Sequence, residues 1–297
     1  MIARSWLFVP ADDPRKLAKI ADSGADAVIL DLEDSVVPAH KAEARALAQE
    51  ALNAARGERA PQVWVRINPL SGGSADLDLE AVMPGTPDGL VLPKAGSAAD
   101  VVALGRRLDT LEAGDRRGRT LILPIATETP GALFALGSYA ETPSHRLVGL
   151  TWGAEDLSTA VGAETNRATD GGYTDLCRLA RALCLAGAGA AGVPALETVY
   201  PALGDVAGLE AYAIQGRREG FSGMLAIHPA QVEPINRAFT PSADAVERAR
   251  RIVALFEADP GVGVLSMDGR MLDAPHLAQA RRILAADAAL RDKIRPL

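Results

Sequence analysis

Short apolar runs recur along this chain and alternate with stretches of helical spacing. Runs at 5–10, 27–32, 62–68, 89–93, 120–126, 146–152, 194–200 and 223–228 read as buried strands. Between them, 41–55, 98–111, 175–188 and 205–219 carry Ala, Leu, Glu and Arg at helical spacing. Eight strands alternating with helices over the first 240 residues predict a (β/α)8 TIM barrel, whose usual length is about 250 residues. A doubly wound open sheet is the competing fold, and the absence of a G-x-G-x-x-G after an early strand weakens its dinucleotide-binding form. After residue 240 the alternation stops. Thr240-Pro-Ser242 reads as a helix start, 243–258 as a helix, and Asp259-Pro-Gly-Val-Gly263 as its break. The chain should continue as a loop through Met267 to Asp273 and end in a helix at about 275–291. The expected organisation is a catalytic barrel over 1–240 and a C-terminal helical extension over 241–297 that carries the Asp273 loop.

Three of the apolar runs end in carboxylates. They are Ala27-Val-Ile-Leu-Asp-Leu-Glu-Asp34, Leu121-Ile-Leu-Pro-Ile-Ala-Thr-Glu128 and Arg146-Leu-Val-Gly-Leu-Thr-Trp-Gly-Ala-Glu-Asp156. In a parallel barrel these ends meet at one mouth, where catalytic groups sit. Gathered carboxylates repel one another unless a cation or a proton joins them, and oxygen ligands favour a hard ion such as Mg2+. Glu128 and Asp156, after neighbouring strands, are the candidate metal pair. The simpler alternative makes Glu128 a helix cap and leaves Asp156 in a first helical turn.

Other strand-end residues widen the site. Arg66 interrupts an apolar strand in Val65-Arg-Ile-Asn68 and needs an anion there. That anion is either Glu33 or Asp34, or a substrate carboxylate or enolate gripped bidentately. Asp31 and Glu33 share one strand face and Asp34 lies past its end, placed to support Arg66 or waters on the metal. Lys94, in Leu92-Pro-Lys94, is either a salt-bridge partner to the site acids or a Schiff-base nucleophile. Nearby carboxylates would keep it protonated, which argues against the nucleophile. His228, before Pro229, reads as a hydrogen-bonded wall residue rather than a ligand.

A net charge of −7 with no basic run gives no support to nucleic-acid binding. Cys177 and Cys184 lie seven apart on a helical face and fit small core positions, without metal or disulfide spacing. No apolar run approaches the ~18 residues of a membrane span, and the start shows no signal-peptide pattern, so a cytoplasmic protein is expected.

Seven segments together resemble a known family. They are Arg4-Ser-Trp-Leu-Phe-Val-Pro10, Asp31-Leu-Glu-Asp-Ser-Val36 with Lys41 and Ala44-Arg45, Val65-Arg-Ile-Asn68, Leu92-Pro-Lys94, Glu128-Thr129, Gly153-Ala-Glu-Asp-Leu157 and Ala226-Ile-His-Pro-Ala-Gln231. In this order they are similar to the citrate lyase beta-subunit-like group of the HpcH/HpaI aldolase superfamily. The resemblance implies a Mg2+-dependent (β/α)8 barrel, a homotrimer or hexamer, acting on a C–C bond next to a thioester. It implies Glu128 and Asp156 as metal ligands and Arg66 as the arginine that binds substrate and enolate.

Gly269-Arg-Met-Leu-Asp-Ala-Pro-His-Leu277 further resembles the terminal motif of the malyl-CoA and citramalyl-CoA lyase branch. That likeness implies that Asp273 serves a neighbouring subunit as acid/base. The family's Phe-Val-Pro-Gly-x-Arg-Pro turn here reads Phe8-Val-Pro-Ala-Asp-Asp-Pro14, without its arginine, and Arg15 and Lys16 follow at once.

The expected activity is therefore cleavage of a 3-hydroxyacyl-CoA to a 2-oxo acid and acetyl-CoA. Arg66, Asp34 and Asp273 are the catalytic candidates, and Arg15, Lys16, Lys94 and Arg66 the substrate and CoA contacts. The rivals are thioester hydrolysis or malate-synthase-like chemistry, a free hydroxy-oxo-acid aldolase, and a subunit of a carrier-protein lyase complex.

Overall fold

The computed structural model of the chain describes residues 3–54, 60–259 and 261–294, with side chains through 291. Two compact units divide it, one running to Asn236 and the other from Arg237 onward.

The first unit holds eight strands: β1 (Ser5–Pro10), β2 (Ala27–Asp31), β3 (Gln62–Arg66), β4 (Gly89–Leu92), β5 (Leu121–Pro124), β6 (Leu150–Thr151), β7 (Ala195–Glu197) and β8 (Gly223–Ala226). They pair in parallel in the order β5-β4-β3-β2-β1-β8-β7-β6. The two outer strands face each other through isolated parallel bridges, Ile122 to Leu147 and Ile125 to Thr151, which nearly close the sheet into a barrel. The backbone bonds Ile122 N–H to Arg146 O (2.7 Å) and Ala126 N–H to Thr151 O (2.8 Å) lie along that seam. An open doubly wound sheet is thereby excluded.

The helices of this unit are α1 (Pro14–Leu17), α2 (Lys41–Ala54), α3 (Ser74–Val82), α4 (Ala98–Leu111), α5 (Pro130–Leu133), α6 (Ser138–Glu141), α7 (Glu155–Ala160), α8 (Asp175–Ala190) and α9 (Val206–Glu219). α10 (Val232–Phe239) spans the division between units. α4 shows how the pattern works. Ser97 accepts the Ala99 amide as N-cap, and Ala98, Val101, Leu104, Gly105 and Leu108 form its buried stripe. Cys177 and Cys184 are buried on α8 as free thiols, in the core role their spacing suggested.

Inside the barrel, Trp6 and Trp64 meet edge to face, 4.9 Å between ring centroids, among Ala27, Ile29, Val91, Leu123, Leu196 and Leu225. Gly89 makes this possible, since a Cβ there would fall 2.1 Å from the Trp64 ring.

The second unit contains α11 (Ala243–Ala258), the antiparallel pair β9 (Leu265–Met267) and β10 (Arg270–Leu272), and α12 (Ala274–Ile294). Ser242 caps α11 through the Ala245 amide, as the Thr-Pro-Ser start predicted. The hairpin corrects the loop expected over 267–273. Asp268 and Gly269 both adopt left-handed φ, 52° and 73°, as a two-residue Asp-Gly turn between short strands requires. Ala249, Ile252, Met267, Leu272 and Ala280 form this unit's own small core. Among the described residues no helix is long and apolar enough to cross a membrane.

Candidate functional site

The strand ladder itself builds the first half of the site. Asp31 and Arg66 are direct partners in the β2–β3 register, so their side chains emerge side by side at the strand ends. Arg66 Nε donates to Asp31 Oδ1 at 2.7 Å and Nη2 to Oδ2 at 2.6 Å, a two-pronged pair. Phe8 lies under the guanidinium, 4.7 Å from ring centroid to Cζ. Glu33 Oε2 approaches Nη1 to 3.0 Å and Asp34 to 3.9 Å. The partner of Arg66 is thus chiefly Asp31, with Glu33 second. Burial pushes the Asp31 carboxyl up, but the Arg66 bonds and charge outweigh it and hold it below its ordinary value. Arg66 is held charged by the same neighbours against its own burial.

Lys94 and Glu128 join from β4 and β5. The Lys94 amide donates to Glu128 Oε2 at 2.5 Å, and its ammonium lies 2.6 Å from Glu33 Oε1, 3.1 Å from Asp156 Oδ1 and 3.8 Å from Asp34. Although burial opposes it, Glu33 and Asp156 keep the ammonium firmly protonated. This disfavours the Schiff-base role. Thr129, not Glu128, caps α5, accepting the Ala132 amide. Glu128 is therefore free to face the cluster, where it is 4% exposed. Burial, then the charges of Asp156 and Glu33, push its carboxyl up to about 8, although the Lys94 amide opposes them. Burial likewise raises Glu33. Asp156 stands in the first turn of α7. Gly153, just before it, leaves room for Glu128, because a Cβ there would lie 3.0 Å from Glu128 Cγ.

The structure thus unites Arg66, Lys94, Glu128, Asp156 and Asp34 at one mouth, together with Asp31 and Glu33. It does not bring every candidate there. Arg15 and Lys16 sit on α1, where Asp13 accepts both their amides and pairs with the Lys16 ammonium at 3.3 Å. Asp273 belongs to the second unit, where it precedes α12 and pairs with His276 Nδ1 at 2.5 Å. His228 is exposed and its Nδ1 accepts the Ala230 amide, which makes it a turn cap.

One supporting network was not legible beforehand. The Lys41 ammonium donates to the carbonyls of Leu32 and Glu33, both at 2.6 Å, and to Asn68 Oδ1 at 2.9 Å. Asn68 donates to Asp78, which is fully buried and also bound by Arg45 Nε at 2.7 Å. Lys41 and Arg45 are four apart on one helix face, a signal the sequence carried. Asp78 comes from a different helix, which nothing in the spacing disclosed.

Among the described residues no three His, Cys, Asp or Glu side chains converge as a ready metal cage. A magnesium ion asks for less, one or two carboxylates with water and substrate oxygens completing its octahedron. With Glu128 ionised, as a bound cation would hold it, Asp31, Glu33, Asp34, Glu128 and Asp156 outnumber Arg66, Lys94 and Lys41 by two charges, a balance that fits a divalent ion. The room that Gly153 leaves beside Glu128 points the same way.

The acids and fixed cations thus gather at the end of a parallel barrel where enzymes of this fold carry their catalytic groups. The HpcH/HpaI aldolase/citrate lyase family model matches residues 4–229, and the chain belongs to this family. A citrate lyase subunit beta-like protein of Mycobacterium tuberculosis is 37% identical over 282 residues, covering 94% of this chain and 93% of that protein. A (3S)-malyl-CoA thioesterase of Cereibacter sphaeroides is 33% identical over 289 residues, 97% and 95% of the two chains. Among solved structures, M. tuberculosis CitE in complex with magnesium, acetoacetate and coenzyme A superposes with a TM-score of 0.76 at 33% identity, covering 96% of this chain and 98% of that one.

Proposed function

We propose that this protein is a Mg2+-dependent carbon–carbon lyase that cleaves a 3-hydroxyacyl-CoA of the citramalyl-CoA or malyl-CoA type to a 2-oxo acid and acetyl-CoA. The observation that carries this reading is the meeting of a clamped arginine with Glu128 and Asp156 at one barrel mouth. Crystallisation of a relative with magnesium, acetoacetate and coenzyme A supports it.

Glu128 and Asp156 would hold the ion, which when bound supplies a Lewis acid and a template for the hydroxy-acid end of the substrate. Asp31 takes two of the five N–H groups of Arg66, and donors on Nη1 and Nη2 remain for the thioester enolate oxygen. Asp34, with a side chain 59% exposed at the mouth, would take the hydroxyl proton as the C–C bond breaks. Asp273 of a neighbouring copy in a homotrimer or hexamer would return a proton to the enolate carbon. Arg15 and Lys16, exposed beside β1, suit the phosphates of a CoA carrier.

A second reading has its own support: the relative named as a (3S)-malyl-CoA thioesterase makes hydrolysis of the thioester an alternative end for the same site. The deciding experiment incubates the protein with Mg2+ and citramalyl-, malyl-, methylmalyl- and citryl-CoA, following 2-oxo acid and free thiol separately with an EDTA control. EDTA-sensitive 2-oxo acid without thiol is the expected result. Thiol release would favour the hydrolase, and silence across the panel would sink both. Asp273→Asn should lower kcat by about 10²–10⁴, the usual worth of a general acid or base, while leaving Mg2+ affinity unchanged. Full activity in that variant removes Asp273 from the scheme.

A further inference from the structure

Lys94 touches three site carboxylates with two different groups. Its amide binds Glu128 at 2.5 Å, while its ammonium binds Glu33 at 2.6 Å and Asp156 at 3.1 Å. It does so with φ at +53°, a left-handed conformation that a lysine enters only where its surroundings impose it. The mouth thus contains a built-in cation that bonds directly to one proposed metal ligand through its side chain and to the other through its backbone.

We propose that Lys94 is a resident counter-cation that keeps divalent-metal binding weak in the free protein and couples it to the arrival of an anionic 2-oxo or hydroxy acid. The inference rests on the assignment of Glu128 and Asp156 to the metal. An ion ligated by Asp156 must share that carboxylate with the ammonium, and like charges so close repel. An arriving carboxylate changes the balance twice, since it brings negative charge toward Lys94 and oxygen ligands toward the ion. Metal and acid then bind better together than apart, and thermodynamic linkage makes the effect mutual. Removing the ammonium should tighten the metal alone and weaken the coupling.

The test is calorimetric titration of Mg2+ into the full-length protein and its Lys94→Gln variant, each with and without pyruvate as the probe acid. Gln keeps a flexible polar side chain and the amide that binds Glu128. The expected result is Mg2+ binding at least about tenfold tighter in Lys94→Gln, on Coulombic grounds, with pyruvate tightening Mg2+ clearly less than in the parent. Lys94→Arg, which keeps the charge, should retain weak binding and strong coupling. Unchanged or weaker Mg2+ binding in a folded Lys94→Gln protein overturns the proposal, as does tightening in Lys94→Arg. Asp156→Asn separates this from failure of the metal assignment. If Asp156→Asn binds Mg2+ as the parent does, or if neither parent nor Lys94→Gln takes up the ion, the assignment falls and the inference with it. If Asp156→Asn loses binding while Lys94→Gln matches the parent, only the inference fails.

Discussion

Arg66 is fixed by Asp31 across the strand ladder and by Phe8 beneath its plane, so any oxyanion at the mouth meets donors whose orientation is already set. A lysine keeps the charge but not the fork, and cannot bind Asp31 through two parallel bonds while presenting further donors outward. Arg66→Lys should therefore lower kcat by about 10²–10³, the scale set by loss of one preorganised oxyanion donor, with little change in Mg2+ affinity. Steady-state kinetics on the cleaved thioester, paired with calorimetric Mg2+ titration, checks both halves. Equal losses in kcat and in metal affinity would mean that Arg66 organises the carboxylates rather than the reaction.

The segments that leave the strands carry the site, and two of them depend on contacts made between elements. Lys41, at the start of α2, satisfies the carbonyls of Leu32 and Glu33 after β2 and so fixes the backbone from which the Glu33 carboxylate reaches Lys94. Lys41→Met should remove one donor from each carbonyl, leaving Leu32 to the Asn68 amide and Glu33 to the Val36 amide, and cost about 1 kcal/mol in denaturant unfolding. Amide exchange should rise over 32–36 ahead of the rest of the barrel, read by mass spectrometry; a uniform rise would deny the local role. Between β6 and α7, Gly153 leaves space for Glu128. Gly153→Ala should push that carboxylate by a few tenths of an ångström and weaken Mg2+ about tenfold, at a stability cost of ~1 kcal/mol or less. Unchanged Mg2+ affinity would show that Glu128 has slack to spare.

At the scale of the whole molecule, the seam that brings β5 and β6 together is backed by a buried ion pair. Arg146, 1% exposed, binds Glu112 through both carboxylate oxygens and also binds Asp109 and the Thr120 carbonyl. Burial raises the Glu112 carboxyl, but Arg146 and the amides of Thr120 and Gly118 prevail and bring it down to about 2. A carboxyl whose folded value is depressed contributes stability above its unfolded value, near 4.5, and loses that contribution as pH falls toward 2. Glu112→Gln should thus be less stable than the parent at pH 7, by on the order of 2 kcal/mol, with the difference shrinking below pH 4.5. Urea unfolding at pH 7, 5 and 3 measures it; a gap that stays constant with pH would show that the cost comes from packing alone.

The alternation of apolar runs and helical stretches determined the barrel, because a strand buried on both faces must be apolar whatever its neighbours are. The acids at the run ends were equally legible, since a charge closing an apolar run has few places to go except the mouth. Even the Asp-Gly turn of the hairpin was written in the chain, though its short strands passed for loop. Pairings were another matter. That Asp31 takes Arg66, that Lys94 bridges Glu33, Glu128 and Asp156, and that Thr129 rather than Glu128 caps α5 were decided only by register and by closure of the sheet. Glu33 and Lys94 are 61 residues apart, and only the folded barrel brings their charges within 2.6 Å. Periodicity is a local property of sequence, whereas the choice of ionic partner is made by distance in three dimensions, where Coulomb attraction and desolvation act.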